Sequence, residues 1–153
     1  MLRMSKLTDY GTVVLAELAN GRSGFASAAE VAQATGVGLP TVSKLLKTLA
    51  KAGLVTSSRG AHGGYRLSRG AAEISAAEVI DAFEGPVSIT ECSGSDSHCG
   101  LESVCSVGSA WQRINVAIRR ALDEISLADL LRANSPTPQF RFAGMPINVE
   151  RKS

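Results

Sequence analysis

The chain has 153 residues, enough for one domain or one small domain with an appendage, and 44% of them are hydrophobic, which excludes wholesale disorder. Aromatics are only 5% while Leu, Val and Ala are plentiful, so a mainly α chain is expected. No apolar run approaches the roughly 18 residues of a membrane span, and the opening Met1-Leu2-Arg3-Met4-Ser5-Lys6 lacks a secretory signal's apolar stretch and cleavage site; the expected setting is the cytoplasm, with no membrane partner. The net charge of +2 hides a segregation: residues 31–72 contain six Lys or Arg and no Asp or Glu, while all 14 acidic residues lie elsewhere. Such a basic segment is either a solvated face or a local contact with a polyanion.

In chain order, residues 5–20 read as a helix, with Val14, Leu15, Leu18 and Ala19 at helical spacing and Asn20-Gly21 as its stop. Ser27, followed three residues later by Glu30, is a capping box that opens a short helix over 28–34, ended by Thr35-Gly36. Pro40 suits the first turn of the next helix. There Val42, Leu45, Leu46 and Leu49 form one apolar stripe, Ser43, Lys44, Lys47, Thr48 and Lys51 point elsewhere, and Gly53 ends the run. A short helix, a tight Gly turn and a second helix burying Leu while presenting Thr, Ser and Lys is the sequence form of a helix-turn-helix, although a plain helical hairpin has the same periodicity.

The next segment decides between them. Residues 54–58 are strand-like, 65–68 alternate like a partner strand, and Arg59-Gly60-Ala61-His62-Gly63-Gly64 joins them. A hairpin directly after the second helix is a wing, with glycines that allow close backbone approach to DNA and with Arg59 and Arg66 supplying charge. The expected DNA-binding set is Leu39, Pro40, Thr41, Ser43, Lys44, Lys47, Thr48, Lys51, Arg59, His62, Gly63, Gly64 and Arg66. The second helix has no Asn or Gln to read adenine and no Arg to read guanine, so direct readout per protomer is modest and phosphate contacts carry much of the affinity. Six phosphate contacts would give a salt slope of about −5 per protomer. Affinity of this kind calls for a dimer on a two-fold operator.

Residues 74–83 form a short amphipathic helix closed by Gly85-Pro86, and a longer one runs from 109 to 125 with Trp111 at its start and Ile114, Ile118, Ala121, Leu122 and Ile125 as its stripe. Its own chain leaves little to cover that stripe, so it is the expected dimerisation helix, with packing against the first helix the plainer reading. A last turn follows over 127–131; beyond 132, with Pro136, Pro138 and Pro146, an irregular or disordered tail is expected. The expected units are therefore 1–70 for DNA binding, 71–108 for a linking helix and cysteine loop, 109–131 for dimerisation and 132–153 for the tail.

The three cysteines, Cys92, Cys99 and Cys105, lie in one Gly- and Ser-rich segment. Their odd number argues against a disulfide scaffold. Three thiolates on one loop suit iron–sulfur ligation. Zinc normally uses Cys-x-x-Cys pairs, which are absent, and His98 adjoining Cys99 is an awkward fourth ligand. A thiol redox switch without metal is the third reading. No catalytic dyad, phosphate loop or paired Cys-x-x-Cys points to an enzyme.

These residues together resemble the dimeric winged-helix regulators typified by IscR and NsrR, which sense iron–sulfur clusters. The resemblance spans residues 4–131 and is carried by Met4-Ser5-Lys6-Leu7-Thr8-Asp9-Tyr10, Leu49-Ala50-Lys51-Ala52-Gly53-Leu54-Val55, the wing from Ser58-Arg59-Gly60 to Tyr65-Arg66-Leu67, helix 74–83 and the three-cysteine loop. Within the family it is most similar to the branch that regulates SUF-type iron–sulfur assembly genes. It implies a mainly α winged helix-turn-helix protein with a two-stranded wing, a flexible three-cysteine loop and a long C-terminal dimerisation helix. It further implies a homodimeric repressor whose cluster, held by Cys92, Cys99 and Cys105, alters operator affinity. Where the IscR pattern has a fourth-ligand His three residues past the last cysteine, this chain has Gly108. The NsrR pattern uses an Asp of the partner's first helix, which Asp9 matches; the alternatives are Glu91, Glu102 and His98, and Asp9 is also placed to complement the helix dipole. Asp9 favours a 4Fe–4S cluster, and the SUF and IscR likeness favours 2Fe–2S.

Overall fold

A computed structural model describes residues 3–21, 24–90, 100, 105–132, 139–142 and 145–148. The elements run α1 (Lys6–Asn20), α2 (Ala28–Thr35), α3 (Leu39–Lys51), β1 (Val55–Ser58), β2 (Gly64–Leu67), α4 (Ala76–Glu84), α5 (Gly108–Asp123), α6 (Leu127–Arg132), β3 (Gln139–Phe142) and β4 (Met145–Asn148). The chain is a mainly helical winged helix-turn-helix, as the sequence pattern requires.

Local chemistry sets the element ends. Ser5 caps α1 by accepting from the Thr8 amide, and both Ser27 with Glu30 and Ser75 with Glu78 complete reciprocal capping boxes at α2 and α4. Helix α2 stops at Gly36, whose φ of 72° is left-handed. The stripe read from the sequence is the core: Val14 and Leu15 of α1 and Val42, Leu45, Leu46 and Leu49 of α3 are buried, joined by Val31, Leu54 and Val55. Burial of this kind is worth about 1.5–3 kcal/mol per large aliphatic side chain, before entropy is counted.

The core does not stop at residue 70. Ile74 and Val79 belong to it, and so does Leu127 at the start of α6, which is fully buried. The Leu127 amide donates to the Ile74 carbonyl at 2.7 Å and the Ala76 amide to the Ile125 carbonyl at 2.7 Å, so the chain returns from α5 into the same body. The unit boundary expected at 70 therefore crosses one continuous core.

The tail differs from expectation too. Instead of being irregular throughout, β3 and β4 pair antiparallel, Gln139 opposite Asn148 and Phe142 opposite Met145.

Helices α1 and α4 meet unusually closely. A β-carbon at Gly11 would lie 2.2 Å from Cε2 of Phe83, so only glycine lets that ring sit against α1. Next to it, Glu84 accepts from the Ser5 amide at 2.8 Å and from the hydroxyl of buried Thr8. The last turn of α4 is thereby fastened to the first turns of α1.

Candidate functional site

Helix α3 separates cleanly into two sides. Val42, Leu45, Leu46 and Leu49 are buried, while Pro40, Lys44, Lys47 and Lys51 are exposed at spacings of four, three and four residues, one continuous outward stripe. Thr41, Ser43 and Thr48 flank it, half-buried. The Thr48 hydroxyl donates to the Lys44 carbonyl at 3.1 Å, so its proton is already committed. Leu39 is exposed, but it lies in the row of Val42 and Leu46, on the side of α3 that faces the core rather than on the lysine stripe. No side chain caps α3: Gly38 is its N-cap, leaving the first-turn amides open to an outside acceptor such as a phosphate oxygen.

The wing follows at once. Gly53, with φ of 78°, turns the chain out of α3, and the Ser68 hydroxyl donates to the Gly53 carbonyl at 2.7 Å, closing the base of the hairpin on the helix end. Strands β1 and β2 pair Val55 with Leu67 and Thr56 with Arg66. A third segment joins them. Ala26 and Tyr65 exchange amide–carbonyl bonds of 2.9 and 2.8 Å, which the sequence pattern did not reveal. This contact explains Gly64: its φ is 146°, and a β-carbon there would lie 2.4 Å from the Ala26 carbonyl oxygen. At Gly63 a β-carbon would lie 2.3 Å from the Ser58 carbonyl oxygen. Gly63 thus serves a contact within the wing, and Gly64 one between the wing and the segment before α2. Arg59 and His62 stand exposed at the tip.

The basic segment is not uniform. Arg69 is bonded to Glu78 of α4 and to the Glu73 carbonyl, which neutralises it. For Glu78, burial pushes the carboxyl pKa up, but the Ser75 amide and the Arg69 guanidinium outweigh it, and the net direction is down. Among the described residues no carboxylate pairs with Lys44, Lys47, Lys51, Arg59 or Arg66. Arg66 rests instead on the ring of Phe25, 4.7 Å from its centroid. Phe25 was missed at the sequence level, because the polar linker around it gives no periodic pattern.

Of the expected metal ligands, Cys92 and Cys99 lie outside the described residues, as do the alternatives Glu91, His98 and Glu102. Cys105 is half-buried, three residues before α5 begins at Gly108. A β-carbon at Gly108 would stand 3.6 Å from its sulfur, so position 108 faces the thiol but supplies no ligand. Asp9 is exposed in the first turn of α1. It lines an apolar groove of about 450 Å³, walled by Met4 and Val13 with α1, by Ile80 of α4, and by Leu122, Ile125 and Leu130. Among the described residues no three His, Cys, Asp or Glu side chains converge on one point.

Helix α5 is held at its second half. Arg119 bridges to Asp81 of α4 at 2.7 Å and to Asp123 at 3.4 Å. None of its 16 residues is buried, and Trp111 and Ile114 remain 39% and 43% exposed. No helix among the described residues is long and apolar enough to cross a membrane.

A basic helix without a side-chain cap, followed by a wing whose Arg59 and Arg66 have no carboxylate partner among the described residues, defines a winged helix-turn-helix nucleic-acid-binding protein. The chain belongs to the Rrf2 family of iron-dependent transcriptional regulators, which it matches over residues 4–133. It is a transcriptional regulator and not an enzyme. It is 33% identical to protein rrf2 of Nitratidesulfovibrio vulgaris over 90% of this chain and 93% of that one. Among solved structures it is similar to CymR, the global cysteine regulator of B. subtilis, with 31% identity, a TM-score of 0.66 and coverage of 87% of this chain and 98% of that one. It is also similar to T. potens IscR, with 30% identity, a TM-score of 0.64 and coverage of 88% and 89%.

Proposed function

We propose that this regulator is a cytoplasmic homodimer that reports iron–sulfur cluster status to DNA and represses iron–sulfur assembly genes of the SUF type. What supports the reading is where the cysteines sit. Cys92, Cys99 and Cys105 occupy the one covalent connection between α4, whose end is bonded to α1, and α5, whose apolar side is unfilled. Soft thiolates suit iron, and the half-buried Cys105 sulfur with no side chain at position 108 leaves room beside it. Cys92, Cys99 and Cys105 would hold the cluster, whose gain or loss supplies the change in charge and bulk that a sensor needs.

The dimer supplies the remaining parts. Among the described residues Trp111 and Ile114 are an apolar stripe without a cover, and the groove lined by α1, α4, Leu122 of α5 and α6 is an apolar trough without a filling. Two copies related by a two-fold axis satisfy both, each α5 entering the other's trough. Asp9 lines that trough, and from there it would serve as the fourth ligand to the partner subunit's cluster. On the DNA side, Pro40, Thr41, Ser43, Lys44, Lys47, Thr48 and Lys51 face the major groove, with Leu39 at its edge. The wing residues Arg59, His62, Gly63, Gly64 and Arg66 lie along the flanking backbone.

The test is anaerobic purification from iron-replete cells, followed by iron and sulfide counts and visible absorption. Brown protein containing both elements, lost in Cys99→Ala while the fold remains, is the expected result. Colourless protein with stoichiometric zinc, or metal-free protein whose DNA binding follows thiol oxidation, would replace the cluster with the corresponding chemistry. Capture of genomic fragments by the purified protein should enrich promoters of iron–sulfur assembly genes.

A further inference from the structure

Arg66 lies between Tyr65 and Leu67, which pack against the core, so strand alternation turns it to the outer face of the wing, where it is exposed. A free arginine there would sample many rotamers. Here the half-buried ring of Phe25 sits under the guanidinium at 4.7 Å, a contact that favours one placement over the others. Phe25 is itself fixed by its neighbour: Ala26 is hydrogen-bonded in both directions to Tyr65, the residue before Arg66. Ring and guanidinium are thus carried on neighbouring segments joined by this bridge, the guanidinium on β2.

Stacking covers the face of a guanidinium and leaves its edge, where all five N–H donors lie, open to a ligand. Among the described residues no carboxylate competes for that edge, in contrast to Arg69, which Glu78 neutralises. The group that suits a planar, pre-oriented, unneutralised fork is a phosphate of a nucleic-acid backbone, bound by two parallel hydrogen bonds.

We propose that Phe25 is a positioning residue for DNA binding: its ring holds the Arg66 guanidinium edge-out on the wing, where it takes a backbone phosphate of the duplex. The inference rests on the reading of the wing as a DNA contact. The gain comes from ordering the arginine before the duplex arrives, so the complex does not bear that cost.

The experiment measures anisotropy of a labelled duplex, the tightest binder selected from a random pool, across a salt series. Arg66→Ala should weaken binding and reduce the salt slope by about one per protomer. Phe25→Leu keeps the charge, so the slope should hold while affinity falls about threefold. Phe25→Trp should restore affinity, and Phe25→Leu placed in the Arg66→Ala protein should cost nothing more. A role confined to packing would instead weaken both backgrounds equally and would overturn the proposal. So would an Arg66→Ala protein with an unchanged slope. Arg59→Ala separates the two levels: a reduced slope there beside an unchanged one for Arg66→Ala removes this inference and keeps the wing, whereas no change in either removes the wing contact itself.

Discussion

Gly11 is a residue whose replacement meets a neighbouring ring. Its missing β-carbon is the space that Phe83 occupies, so Gly11→Ala overpacks the junction between α1 and α4 and should cost about 1–3 kcal/mol in denaturant unfolding, most of it recovered by Phe83→Leu. The neighbouring Glu84 carboxyl is held below its ordinary 4.5 by the Ser5 hydroxyl first, then by Thr8 and the Ser5 amide. Glu30 is lowered by the Ser27 hydroxyl and amide, and Asp129 by the hydroxyl and amide of Ser126, from an ordinary 3.8. A carboxyl whose folded pKa is depressed stabilises above its unfolded pKa and loses that contribution as pH falls through the folded one. The melting temperature should therefore hold near neutrality and begin to fall below about pH 4.5, with Glu84→Gln flattening part of that fall.

At the level of elements, α3 and the wing make a quantitative claim. With Arg69 neutralised by Glu78, five rather than six cations of the basic segment remain for phosphates, and the salt slope per protomer should approach −4.5 rather than −5.4, estimated at about 0.9 per contact. Replacing Lys44 and Lys47 together with Ala should remove about two units of that slope; an unchanged slope would take these residues out of the interface. The lysine stripe was legible from sequence because helical periodicity is local: Val42, Leu45, Leu46 and Leu49 announce the buried side, and everything opposite follows. The same spacing, read one turn further back, puts Leu39 in line with Val42 and Leu46, although at the helix start it is exposed. What could not be read were pairings between distant residues. The Ala26–Tyr65 bridge, the Arg69–Glu78 pair and the Phe83–Gly11 contact join segments whose separation no period encodes. The glycines of the wing were visible, but their hindrance comes from Ala26 and Ser58, which only the folded hairpin brings near. The β3–β4 pairing was missed because its prolines suggested irregular chain.

For the whole molecule, the central quantity is the uncovered apolar surface of α5. Trp111 and Ile114 lie outside the buried core, so on the proposed homodimer Ile114→Glu should give a monomer in sedimentation while leaving the far-ultraviolet dichroism of the winged domain intact. A monomer should then bind a two-fold operator far more weakly, because each half-site has lost its tethered neighbour. The return of the chain through buried Leu127 has a mechanical consequence for such an assembly. An arm attached at one end swings freely, but α5 is secured through Arg119 to Asp81 and again where Leu127 re-enters the body beside Ile74. Both attachments lie toward its C-terminal end, so a push on that end of the rod is handed to α4 and to the core that also carries the lysine-bearing helix.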